Sequence, residues 1–175
     1  MTKHILKRSL SLLLAVFMLA AYLPNAAWAA TSLDTGISGL TASYDGGTWK
    51  KSGTTFTGTA ATTSSTSCGT TSYTPVTSTL TLQNTSGSSA TLSFTAAFDL
   101  NGGSATINGS GAGAGFQSFV LAANETVTIS MTSSSNSTAT ATVTLSEMKL
   151  VIEKNVTVTF TPAVNGSYTV DGSTV

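Results

Sequence analysis

The chain has 175 residues with 7 Lys+Arg, 7 Asp+Glu and a single histidine, so its formal net charge is zero and only 8% of it is charged. That histidine, His4, and the only arginine, Arg8, both lie at the extreme N-terminus. A basic face for nucleic acid is therefore absent, and Ser-His-Asp or Cys-His centres, which need an imidazole, are excluded from the rest of the chain.

Residues 1–29 read as a secretory leader. Lys3, Lys7 and Arg8 form its positive segment, Leu10 to Leu23 its apolar stretch, and Ala27-Trp28-Ala29 a small-x-small cleavage site, with cleavage expected between Ala29 and Ala30. A bilayer span needs roughly 18 or more apolar residues, and Pro24-Asn25 ends the run short of that. No membrane insertion is expected after cleavage. Removing Lys3, Lys7 and Arg8 leaves four lysines against seven carboxylates, a net charge of −3. The remainder combines low charge with regularly spaced Val, Ile, Leu and Phe, the reverse of a disordered composition.

After the leader the apolar residues alternate with period two in short runs bounded by Gly, Asn, Asp and Ser, which predicts antiparallel strands. Leu40, Ala42 and Tyr44 run up to Asp45-Gly46-Gly47, and Trp49 and Phe56 continue beyond, which predicts a hairpin across the glycines. Residues 59–77 form a polar stretch with Gly69 and Pro75, expected to be a long connection or ragged edge strand. Leu80 and Leu82, then Leu92, Phe94, Ala96 and Phe98, are the strongest core strands. Ile107 follows the Asn101-Gly102-Gly103 turn; Phe116, Phe119 and Leu121 follow a glycine-rich segment; Val127, Ile129 and Met131 come next.

Ala139, Ala141, Val143 and Leu145 hold one phase, whereas Met148, Leu150 and Ile152 hold the other. The slip near Ser146-Glu147 marks a β-bulge or a crossing between packed units, and the crossing is the favoured reading. Val156, Val158 and Phe160 keep the new phase, and Asn165-Gly166 predicts a further hairpin with Tyr168 and Val170 on its return strand. The expected organisation is a leader (1–29), a β-sandwich domain (30–153) and an incomplete hairpin module (154–175). The fold class is all-β, an antiparallel β-sandwich, jelly-roll-like with an immunoglobulin-like alternative that lacks the Cys-Trp-Cys pattern of true immunoglobulin domains.

The segment from Val156 onward resembles the opening of the bacterial repeat module related to internalin B-repeats. Val158, Phe160, Pro162, Asn165, Gly166, Tyr168, Val170, Asp171 and Gly172 carry the likeness. The chain stops before the glycine-aromatic segment that closes the module in that family, which suggests a longer protein. Residues 31–153 resemble more loosely the N-terminal β-sandwich of large bacterial surface proteins. The resemblance implies secretion or cell-surface display and brings no catalytic residue with it.

Candidate sites are few. Sugar-binding sandwiches stack exposed aromatics on pyranose rings, which nominates Trp49, Tyr44 and Tyr73. Glycoside hydrolysis needs two facing carboxylates, but Asp45, Asp99, Glu125, Glu147 and Glu153 show no spacing that ties any two together. Asp99 and Asn101 are the best local cluster for calcium, and a plain turn explains them equally well. Asn-x-Ser/Thr triplets begin at Asn84, Asn108, Asn124, Asn136, Asn155 and Asn165 and are read as surface turns. Lys149 and Lys154 are the candidates for a lysine-asparagine cross-link, without a matching acid in view. Cys68 is the sole cysteine, so no internal disulfide can form, and it is read as a loop thiol or an intermolecular bridge.

The sequence thus predicts a non-enzymatic secreted or cell-surface sandwich for display or adhesion, with a carbohydrate-binding module as the alternative. The expected partners are an extracellular glycan or a host or cell-wall surface. No cofactor, catalytic residue or metal ligand is expected, and the reading of Cys68 stays open.

Overall fold

The computed structural model of the chain describes residues 30–154, 169–170 and 173–174. In chain order the strands are β1 (Thr31–Leu33), β2 (Leu40–Asp45), β3 (Thr48–Ser52), β4 (Thr55–Ala61), β5 (Thr63–Ser67), β6 (Thr70–Thr74) and β7 (Thr77–Asn84). Then come β8 (Ala90–Asp99), β9 (Ser104–Ile107), β10 (Ser110–Gly111), β11 (Gly115–Leu121), β12 (Thr126–Thr132) and β13 (Thr140–Ile152). Among the described residues there is no helix. One sheet has the order β1-β2-β7-β12-β9-β10 and the other β11-β8-β13-β4-β3, and every pairing is antiparallel. The expected antiparallel sandwich is the observed fold.

Period two builds the core. In β7, Leu80 and Leu82 are fully buried; in β8, Leu92 and Phe94; in β12, Val127, Ile129 and Met131; and in β13, Val143 and Leu145. These residues form one cluster between the sheets with Leu40, Trp49, Phe56 and Leu121. Between them lie threonines and serines that point outward, so each strand carries an apolar and a hydroxylic face. From β4 on, β7, β8, β9, β11, β12 and β13 fall alternately in one sheet and the other. This alternation is jelly-roll-like, whereas immunoglobulin domains keep consecutive pairs of strands within a sheet.

Three local expectations are corrected. The glycines after Asp45 do not close a hairpin, because β2 belongs to the six-stranded sheet and β3 to the five-stranded one. Gly46 and Gly47 have φ of 66° and 53°, and Ser78 Oγ donates to the Gly46 carbonyl at 2.9 Å. A side chain at Gly47 would meet Ser78 Cβ at 2.6 Å. The pair is thus a corner pressed against β7 that carries the chain between sheets, and two left-handed residues serve that purpose as well as a hairpin. The hairpin is instead β3–β4, in which Trp49 pairs with Gly58.

The polar stretch 59–77 is not a loose connection. It holds the end of β4 and a separate hairpin, β5–β6, whose residues are all exposed. Its Cys68-Gly69 tip has φ of 50° and 80°, both left-handed, as a two-residue hairpin turn requires. Hydroxyls pair across it, Ser65 with Ser72 at 2.9 Å and Thr66 with Thr71 at 3.1 Å.

The phase slip is a β-bulge, not a crossing. β13 pairs with β8 on both sides of it, Ser146 opposite Thr95 and Lys149 opposite Ser93, so Glu147 and Met148 together face Phe94. Two residues against one restores the parity: Leu145 sits opposite Ala96 before the bulge and Leu150 opposite Leu92 after it. Met148 is thereby buried. Glu147 bears the backbone cost with φ of 55°. Left-handed backbone costs a non-glycine residue roughly 1–2 kcal/mol, and glycine's extra unfolded-state entropy returns roughly 0.5–1 of that. Glu147→Gly is accordingly expected to raise stability by about 0.5 kcal/mol, read as a higher urea midpoint at unchanged slope; a lowered midpoint would contradict the assignment.

Most of the expected module at 154–175 lies outside the described residues, as does the turn at Asn165-Gly166. Within it Thr169 pairs with Thr174 and Val170 with Ser173. The leader and Ala29 also lie outside the described residues; Ala30 is the first of them, and β1 begins at Thr31.

Candidate functional site

The three aromatic candidates are not brought together. Trp49 is 3% exposed, and its indole Nε1–H donates to Ser78 Oγ at 3.0 Å. A ring so enclosed presents no face to a sugar, so Trp49 is withdrawn as a stacking platform; it is a core residue whose one polar atom is satisfied. Tyr44 pairs with Leu80 and is half-buried, packed against the cluster between the sheets. Tyr73 alone has substantial exposure, 37%, and stands on the β5–β6 hairpin.

The acidic candidates are equally dispersed. Asp45, Asp99, Glu125, Glu147 and Glu153 are all exposed, as is Asp34, a carboxylate outside that set. Several hold local structure: Asp34 Oδ1 accepts from the Gly36 amide at 2.9 Å, Glu125 Oε2 from the Ala122 amide at 2.8 Å, and Glu147 Oε2 from Thr95 Oγ1 at 3.3 Å. Asp45 and Asp99 end strands of different sheets, in β2 and β8. Asn101 is left-handed, as a turn residue, and donates its amide to the Thr140 carbonyl at the start of β13 at 3.0 Å. Among the described residues, no three His, Cys, Asp or Glu side chains are grouped to hold a metal ion.

An open depression of about 500 Å³ lies along the β1–β2 connection, lined by Leu33, Thr35, Ile37, Leu40 and neighbours. Its buried hydroxyl is already committed: Thr35 Oγ1 donates to the Leu40 carbonyl at 2.7 Å and accepts from the Ile37 amide at 3.1 Å. The rest of its polar lining is Ser32, Asp34, Ser38 and Thr41, of which Asp34 holds the Gly36 amide of the same turn.

What period two had implied, without its being read as a surface, is the outer face of the six-stranded sheet. Register aligns hydroxyls into rows across four strands, Ser32-Ser43-Thr81-Thr128 and, beginning at a carboxylate, Asp45-Thr79-Ser130-Thr106. A third row is Thr77-Thr132-Ser104. Neighbouring hydroxyls bond one another, Thr77 to Thr132 at 2.9 Å and Thr79 to Ser130 at 3.0 Å. Strand geometry spaces such groups by about 4.8 Å across the sheet and about 6.8 Å along it. Asp45 is the only charged member of these rows. The result is a repetitive field of hydroxyl donors and acceptors with a single carboxylate, Asp45, at one end of a row.

One triplet read as a surface turn is not one. Asn84 is fully buried; its two Nδ2 hydrogens are shared among the carbonyls of Ser88 (2.8 Å), Leu121 (3.1 Å) and Ala122 (3.0 Å), while its Oδ1 accepts from the Ser86 amide and hydroxyl. The amide ties the β7–β8 loop to the end of β11. Asn108 and Asn124 are exposed and left-handed, as turn residues are. Cys68 is exposed at the hairpin tip. Comparison with protein-family models, curated proteins and solved structures gives no match.

Proposed function

We propose that the chain is an exported, non-catalytic display domain that makes adhesive contact through the outer face of its six-stranded sheet, with an extracellular glycan or cell-wall surface as partner. The observation that carries the reading is the register of serine and threonine rows across that face. A rigid sheet holds these hydroxyls at fixed repeats, so a partner rich in hydroxyls meets many matching donors and acceptors without displacing a charge. Export through residues 1–29 fits the domain's start, since cleavage before Ala30 leaves β1 whole. The likeness of the C-terminal segment to a surface-protein repeat belongs to the same proposal.

The expected result is a processed protein with Ala30 as N-terminus, recovered outside the cell or on its wall, and retained on insoluble polysaccharide or wall material. Thr81→Lys combined with Ser130→Lys places two ammonium groups within the rows and is expected to lower retention at least about tenfold while leaving the core intact. Equal retention of variant and parent would remove this face from the proposal. The carbohydrate-binding alternative built on stacking now depends on Tyr73. Tyr73→Ala separates the two: loss of retention there, with the lysine variant unaffected, moves the contact to the hairpin.

A further inference from the structure

We propose that β11 is an edge built for pairing, and that its occupant is a second copy of this chain, joined antiparallel about a two-fold axis through Ser118. Exposed strand edges invite unwanted pairing, and proteins blunt them with short strands, lysines or prolines. The other edges of the two packed sheets follow that rule: β1 has 3 residues, β10 has 2, and β3 carries Lys50 and Lys51. β11 does not. It runs 7 residues, GFQSFVL, without a charge or a proline, and closes the five-stranded sheet opposite β3.

Its exposed side chains point the same way. Phe116 is 69% and Val120 66% exposed, the two highest exposures among the large apolar residues described. Both lie on the outer face, opposite Thr95 and Thr91 of β8, and Val151 at 55% exposure continues the row from Val120 through Thr91. An isologous contact requires a strand that matches itself read backwards. Centred on Ser118, antiparallel pairing places Phe116 against the partner's Val120, and Val120 against the partner's Phe116. On the inner side Phe119, half-buried with its ring 5.9 Å from that of Phe94, gains cover from the partner's Gln117. The two apolar outward positions are symmetric about a small hydroxylic one, so a single register covers both and extends the five-stranded sheet across two molecules.

The test uses the full exported chain carrying Cys68→Ser, so that the exposed thiol contributes no covalent dimer. Sedimentation from about 1 µM to about 500 µM, the range in which small edge interfaces associate, is expected to show a monomer-dimer equilibrium. Ser118→Lys sets two ammonium groups face to face on the axis and is expected to weaken dimerisation at least about tenfold. Ser118→Cys is expected to cross-link to its own counterpart on mild oxidation, whereas Phe116→Cys cross-links with Val120→Cys and not with itself. All these positions are outward-facing, and circular dichroism with thermal melting checks that each variant is folded. A monomer throughout the concentration range, a dimer indifferent to Ser118→Lys, or cross-linking without this register would each overturn the proposal.

Discussion

Trp49→Ala is expected to cost about 3–5 kcal/mol, the usual range for deleting a buried aromatic side chain. The indole is enclosed between β3 and its neighbours, and it is matched to a glycine: a Cβ at Gly58, its cross-strand partner, would lie 2.5 Å from Trp49 Cε2. Gly58 thus makes the space that Trp49 fills, and the side chain cannot be removed without leaving a void that flanking strands are poorly placed to close. The polar end matters too. Ser78 is fully buried, accepts from the indole and donates to the Gly46 carbonyl. Alanine leaves the serine one partner short, at the corner where the chain changes sheets. Against a typical total of roughly 5–15 kcal/mol the loss is large, and a melting-temperature drop of roughly 10–20 °C is expected. Trp49→Phe keeps most of the volume, loses the hydrogen bond, and should cost about 1–2 kcal/mol. Urea denaturation followed by circular dichroism measures both, since the only other tryptophan is Trp28, outside the sandwich. A cost for Trp49→Ala below about 1 kcal/mol would show that the indole is not the core anchor described. Any loss of ligand binding in that variant reports unfolding, not a lost stacking platform.

Asn84→Leu should be almost as damaging, at about 3 kcal/mol, although leucine has the same branched skeleton of heavy atoms as asparagine and is far more apolar. The amide shares its two N–H groups among three carbonyls and accepts from the Ser86 amide and hydroxyl. Leucine removes all of these bonds; the Ala122 and Ser88 carbonyls keep the Glu125 amide and the Ser86 hydroxyl as donors, and each buried group left without a partner costs roughly 1–3 kcal/mol. Asn84→Asp sharpens the test. A carboxylate cannot donate to carbonyl oxygens, so the folded state favours the protonated acid and raises its pKa above the unfolded value of about 3.9. The folded form then binds the extra proton, and the variant's stability should fall as pH rises from about 4 to about 7. Parallel pH profiles for variant and parent would contradict the buried network.

Much of the architecture was legible because burial and alternation coincide. Leu80, Leu82, Leu92, Phe94, Val127, Ile129, Val143 and Leu145 keep strict period two, and all face the core. The reading failed where one local signal serves two geometries. Gly46-Gly47 supplies left-handed backbone to a hairpin or to a corner, and only β7 packed beneath it decides between them. The slip at Glu147 changes face in a bulge as in a crossing, and its resolution lies in the partner strand β8. The β5–β6 hairpin has no buried face, so no apolar alternation marked it. Asn84 looked like a surface asparagine because its role is set by carbonyls 37 and 38 residues downstream. Among the site candidates, Trp49 was misplaced for a related reason: sequence gives a tryptophan's turn-proximal position, but not the glycine opposite that lets it sink.

The longest strand also has a mechanical consequence. β13 spans 13 residues, is hydrogen-bonded on both flanks by β4 and β8, and leads directly into the residues after Ile152. Interstrand bonds lie perpendicular to a strand, so tension transmitted from that side loads them together in shear, and many must yield at once. β1 is held by its 3-residue pairing with β2 at a sheet edge. Traction along β1 has only that short pairing to break before the strand is released. Under load the two ends of the domain should therefore differ, the side leading out of β13 being the one suited to bear force.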